Sequence, residues 1–63
     1  MSDRAQRVLD ALIKYDSEYG KGYPFQVIFS FLDAHSHGLE EDCELLTADE
    51  EKKIIESFLK FSY

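Results

Sequence analysis

A run of apolar residues in the middle of the chain constrains the fold more than any other feature. The segment from Phe25 to Leu32, FQVIFSFL, has six apolar side chains among eight residues. Pro24 precedes it, and proline suits the first turn of a helix, so we predict a helix at about residues 24–36. A strand is the competing interpretation, because Val, Ile and Phe are also common in strands. The sequence offers no second strand to pair with it, which favours the helix.

A first helix is predicted upstream, at about residues 3–19. Apolar residues recur there at intervals of three and four, and Ser2 is placed to cap the helix N-terminus. Gly20 and Gly22 follow the last periodic residue. Because glycine readily takes the left-handed conformation that closes many helices, we expect both to end this helix.

A third helix is predicted at about residues 48–61. Thr47 and Glu50 have the spacing of a capping box, in which each side chain bonds the backbone of the other residue. The intervening LEEDCELL is predicted to be a linker. The sequence therefore predicts an all-α fold: a single three-helix domain over residues 1–63, with the first and third helices each covering one side of the apolar middle helix.

The middle helix carries more apolar surface than two neighbours can cover. An amphipathic helix buries one stripe, whereas a helix that is apolar all round must be covered all round. Exposed apolar surface that remains marks an interface, and a twofold dimer is the commonest closed assembly. The alternative is a compact monomer that buries every one of these side chains. We expect a homodimer, or docking on another protein, through the exposed members of the set Phe25, Val27, Ile28, Phe31 and Leu32.

The net charge of −6 is concentrated in the second half of the chain. Nine acidic residues stand against two lysines between Asp33 and Glu56. Clustered carboxylates can imitate DNA phosphates towards a basic partner, although the simpler interpretation is that they keep an apolar small protein soluble. The second candidate contact is an acidic surface formed by Glu40, Glu41, Asp42 and Glu44.

The same charge argues against a nucleic-acid partner, because DNA affinity generally depends on clustered Lys and Arg. The alternative function, a small helical DNA-binding transcriptional regulator, would have to use the basic side of the first helix. Arg4, Arg7 and Lys14 would then face phosphates.

No pattern in the chain predicts an enzyme, a cofactor site or a metal site. His35, His37 and Cys43 match no standard zinc-ligand spacing, so a polar helix end is the preferred interpretation. Cys43 is expected to be a small, buried apolar side chain and not a nucleophile, since nothing marks a third orienting group or an oxyanion site.

The chain is expected to act in the cytoplasm. Its N-terminal residues are charged with no apolar stretch behind them, and no segment approaches the roughly 20 apolar residues of a membrane span. A single cysteine is compatible with a reducing compartment.

Two terminal stretches, MSDRAQRVLDALIKYDSEYG and IIESFLKFSY, together with the small size and acidity, carry a family resemblance. The chain resembles the short open-reading-frame proteins of the exo–xis region of lambdoid bacteriophages. The resemblance implies an early-expressed phage protein in the bacterial host cytoplasm that influences the lysis–lysogeny choice, the host cell cycle or replication. No catalytic residues belong to that group, so the resemblance assigns none here.

Overall fold

The computed structural model describes residues 1–20, 22–33 and 38–63, and within them every regular element is a helix. The all-α prediction is thus confirmed. Residues 34–36, the predicted end of the middle helix, lie outside the described residues. The predicted linker contains a helix of its own. The helices are α1 (Asp3–Tyr19), α2 (Pro24–Asp33), α3 (Glu40–Glu44) and α4 (Ala48–Ser62).

The N-termini of α1 and α4 are capped by the residues that the sequence indicates. The Ser2 hydroxyl accepts a hydrogen bond from the Ala5 N–H at 3.2 Å. Thr47 and Glu50 form the reciprocal bonds of a capping box, at 3.0 and 3.1 Å. The Ser2 hydroxyl also donates to the Glu50 carboxylate, which joins the two helix N-termini. These donors, Ser2 first and then the Thr47 N–H, hold the pKa of Glu50 below its ordinary value.

The end of α1 departs from prediction at one glycine. Gly22 has the left-handed φ of 86°, as expected, but Gly20 has a φ of −68° and an extended backbone. Its N–H donates to the Asp16 carbonyl at 2.7 Å. A Cβ at position 20 would collide with the backbone carbonyl of Asp16 as well as with its side chain, so glycine is required there by close approach rather than by handedness.

Helix α1, and not the apolar α2, lies at the centre of the fold. Each of the other three helices packs mainly against α1, so the expected placement of the middle helix between its neighbours is wrong. The reason lies in the width of the α1 apolar surface. Viewed down the helix axis, the apolar residues of α1 occupy one arc, and Ala11 and Ile13 lie at its two edges. At about 100° per residue this arc spans about 200°, which is wide enough to hold helices on two sides.

The core is one continuous cluster along α1. At the edge of this cluster, α3 and the residues that flank it contribute three partly buried side chains, those of Leu39, Cys43 and Leu46. Helices α1 and α4 run in the same direction, because Ser2 meets Glu50 at one end and the Tyr63 hydroxyl donates to Asp16 at 2.7 Å at the other. None of the described helices has the length and apolar content needed to cross a membrane. The buried core residues are Ala5, Val8, Leu9, Leu12, Val27, Phe31, Ile54 and Phe58.

Candidate interaction surface

Helix α2 presents an apolar stripe to solvent on the side away from the core. Phe25, Phe29 and Leu32 are 78%, 68% and 45% exposed, and we call these three residues the α2 stripe. Their spacing of four and then three residues places them on one side of a helix. The Phe25 and Phe29 rings stack on each other, with centroids 6.3 Å apart and planes inclined by 22°. The stripe is therefore a continuous surface, not a scatter of isolated side chains.

The structure divides the predicted interface residues into two groups. Phe25 and Leu32 belong to the α2 stripe. Val27 and Phe31 are buried in the core of this chain and cannot contribute to an exposed surface, and Ile28 is partly buried against that core. Phe29 was missing from the predicted set. Its position four residues after Phe25 was the signal that could have identified it.

The α2 stripe is exposed because α2 lies at the edge of the fold. A helix buries only the face that meets a neighbour, and α2 packs mainly against α1. The helix is also not apolar all round. A narrow polar strip, formed by Gln26, Ser30 and Asp33, lies between the α2 stripe and the face that packs on the core. The uncovered apolar area is therefore confined to one side.

The predicted acidic surface is partly used inside the molecule. Asp42 accepts two hydrogen bonds from Arg7, at 3.0 and 3.1 Å, and pairs with the Arg4 Nε at 3.4 Å. The Arg7 hydrogen bond, more than any other cause, holds the pKa of Asp42 below its ordinary value. Asp42 thus fastens α3 to α1. This contact engages Arg4 and Arg7, which are two of the three basic residues that the DNA-binding alternative requires.

The remaining acidic residues of α3 differ in accessibility. Glu41 and Glu44 are exposed, whereas Glu40 is partly buried. A partner approaching α3 would therefore meet Glu41 and Glu44 first. The candidate acidic surface is accordingly narrower than the four carboxylates of the prediction.

The thiol of Cys43 is in an environment that disfavours its ionised form. It is partly buried against the core, and burial raises its pKa, with a smaller effect from nearby carboxylates, Asp42 foremost. His35 and His37 lie outside the described residues. Among the residues that the structure describes, no group of three or more His, Cys, Asp or Glu side chains is arranged to hold a metal ion.

A cleft of about 410 Å³ opens between the C-terminal end of α1 and the polar strip of α2. We call it the α1–α2 cleft. Tyr15 is half-buried in it, while the other polar lining residues are exposed at its mouth, so the cleft is accessible from solvent. Its lining includes the side chains of Tyr15, Glu18, Tyr19, Gln26, Val27 and Ser30.

Exposed apolar residues on α4 do not form a comparable stripe. Ile55 and Leu59 share a face, but each is exposed less than the two rings of the α2 stripe. Phe61 is well exposed, but it lies more than about 100° around the helix from both. The α2 stripe is therefore the larger continuous apolar surface among the described helices.

Comparison with known proteins identifies no relative. The chain matches no protein-family model, no curated protein and no solved structure.

Proposed function

We propose that this chain is a non-enzymatic interaction protein whose docking surface is the α2 stripe. The observation that supports it is the stacked, solvent-exposed pair of Phe25 and Phe29 with Leu32 beside them. Contiguous exposed apolar surface on a small protein is typical of interaction sites, because it is costly to leave in water. A chain of this size also has little apolar area to spare from its core.

The occupant of the α2 stripe in this proposal is a second copy of the chain. Taking about 200 Å² for a fully exposed phenylalanine, the two rings expose about 290 Å², and Leu32 raises this to about 370 Å². A homodimer interface of about 600–800 Å² per partner that is about 65% apolar needs roughly 400–500 Å² of apolar area. The stripe supplies most of that amount at the low end of the range.

The chemistry of the stripe also suits a twofold contact. Its three members are uncharged, so two copies can pair without bringing like charges together at the centre of the interface. In an antiparallel pairing about Phe29, Phe25 of one copy meets Leu32 of the other, and the reverse contact follows by symmetry. Charge repulsion between two chains of net charge −6 opposes assembly, so dimerisation should strengthen as salt is added.

Sedimentation velocity over a range of concentrations tests this proposal. We expect the native chain to form dimers and Phe29→Asp to remain monomeric with unchanged helical circular dichroism, because the interface would bury an unpaired carboxylate. Ile55→Asp is the matched control, since it makes the same kind of change at an exposed apolar position on α4. A native chain that stays monomeric at high concentration, or a dimer that survives Phe29→Asp, would refute the assignment.

We also propose, from the family resemblance, a regulatory role for the protein in phage development within the bacterial host cytoplasm. In this proposal the dimer docks on a host or phage protein, with Glu41 and Glu44 as further contacts. Expression in a bacterial host should change the fraction of infected cells that become lysogens, or slow host division or replication. The double variant Glu41→Lys/Glu44→Lys should lose this effect. Unchanged lysogeny, division and replication on expression of the native chain would contradict the regulatory role.

A further inference from the structure

We propose that the α1–α2 cleft binds the guanidinium group of an arginine side chain presented by a partner protein. This inference rests on the proposed function, in that it treats the chain as an interaction protein, and it specifies the chemistry of the partner. It uses a surface separate from the α2 stripe. Four properties of the cleft support it: two aromatic rings, one carboxylate that pairs with no cation among the described residues, polar groups opposite, and space for the side chain.

The aromatic wall of the cleft is formed by Tyr15 and Tyr19, one helical turn apart. Their ring centroids are 4.8 Å apart and their planes are inclined by 46°, so a flat cation can contact both rings. Tyr15 is held in place by an edge contact with the buried Phe31 ring, at 5.9 Å between centroids. Guanidinium groups stack on aromatic faces and are attracted by them within about 6 Å of the ring centroid.

The carboxylate of the cleft is that of Glu18. Glu18 forms no ion pair with any residue in the described part of the chain, whereas nearby Asp16 accepts the Tyr63 hydroxyl and Asp42 is paired with two arginines. A carboxylate beside aromatic rings can accept two parallel hydrogen bonds from a guanidinium group, which is a stronger and more directional contact than an ammonium group makes. Glu18 is thus the charge that selects a cation here.

The opposite wall comes from the polar strip of α2. The Gln26 side-chain carbonyl and the Ser30 hydroxyl can accept guanidinium N–H groups that Glu18 does not reach, because arginine carries five such donors. Val27 lines the same space and offers an apolar contact for the aliphatic part of an arginine side chain. At about 410 Å³ the cleft is larger than one side chain, so the backbone that flanks the arginine can enter as well.

The charge of the whole chain favours the same class of partner. A net charge of −6 attracts basic segments over long range and accelerates their encounter with the cleft. Gln26 and Ser30 lie about 60° and 100° around α2 from Phe29, the centre of the proposed dimer contact. The cleft therefore borders the α2 stripe, and its wall of Tyr15, Glu18 and Tyr19 lies on a different helix from the dimer contact.

The test is an NMR titration of the full chain with three probes: N-acetyl-arginine amide, N-acetyl-lysine amide and tetramethylammonium. We expect saturable shifts of the Tyr15 and Tyr19 ring protons with the arginine probe, and weaker binding of the other two. Glu18→Gln should weaken arginine binding about fivefold or more, and Tyr19→Leu about three- to tenfold. Both positions are exposed, so the fold should persist, as circular dichroism can verify. Glu56→Gln, the same charge change on α4, should leave the affinity unchanged.

Several results would overturn the proposal. The first is a titration without saturable tyrosine shifts for any probe. The second is equal affinity for the lysine or tetramethylammonium probe, which would indicate a general cation site instead of an arginine site. The third is unchanged arginine binding in Glu18→Gln. The monomeric Phe29→Asp variant should bind the arginine probe like the native chain, so failure of the dimer and failure of the cleft are distinguishable.

Discussion

Two phenylalanines on α2 should lose very different amounts of stability on the same substitution. Phe31 is 6% exposed and Phe25 is 78% exposed, although they belong to the same helix. Phe31 buries about 190 Å², which at about 25 cal/mol per Å² corresponds to between about 4 and 5 kcal/mol. That figure is an upper bound, because alanine keeps its Cβ contact and the unfolded chain is already partly compact. We therefore expect Phe31→Ala to lower the free energy of unfolding by about 3 kcal/mol.

The substitution Phe25→Ala removes an exposed ring instead. We expect it to change the free energy of unfolding of the dilute monomer by no more than about 0.5 kcal/mol. At high concentration its effect should grow, because the native chain gains stability from association and the variant does not. Urea melts followed by circular dichroism, at a low and a high protein concentration, separate the two contributions.

The total stability of a domain of this size is about 3–9 kcal/mol, so Phe31→Ala can unfold the protein outright. Phe31→Leu, with an expected cost of about 1 kcal/mol, keeps the measurement possible in that case. Equal destabilisation by the two alanine substitutions in dilute solution would show that the orientation of α2 on α1 is wrong. The same conclusion would follow if Phe31→Ala were neutral.

Two further predictions concern contacts that fix the helices in place. Asp42→Asn should lower the melting temperature at neutral pH by removing the pairing of α3 with Arg4 and Arg7. Because folding lowers the pKa of Asp42, this stabilisation is present above the unfolded pKa and lost as pH falls through the folded value. The difference in melting temperature between native chain and variant should therefore shrink on acidification, and a constant difference would contradict the role of the charge. Thr47→Ala should cost about 1 kcal/mol in urea melts by breaking the capping box with Glu50, and an unchanged midpoint would contradict that role.

The helices could be predicted from the sequence where a local interaction defines them. Thr47 and Glu50 mark the start of α4 because both capping bonds form within four residues. Helix α3 was missed, since five residues are too few for a periodic pattern to stand out. Its signal was the spacing of Leu39, Cys43 and Leu46, which all pack against the core.

The arrangement of the helices could not be predicted in the same way. The apolar content of the FQVIFSFL segment suggested that α2 is the central helix, yet content does not specify which helix has neighbours on two sides. That position depends on the breadth of apolar surface, and Ala11 and Ile13 give α1 the broader arc. The α1–α2 cleft was also missed, because Glu18 and Gln26 belong to different helices and only the packing of α2 on α1 brings them to the same space.

The parallel packing of α1 and α4 has a consequence during synthesis. Glu50, the partner of Ser2, follows it in the chain by 48 residues, so α1 is made well before its main neighbour is available. Contacts so distant along the chain require closure of a long loop and slow the folding of an otherwise helical protein. Until α4 is made, α1 and α2 can pack on each other, but the part of the α1 apolar arc that α4 covers has no partner.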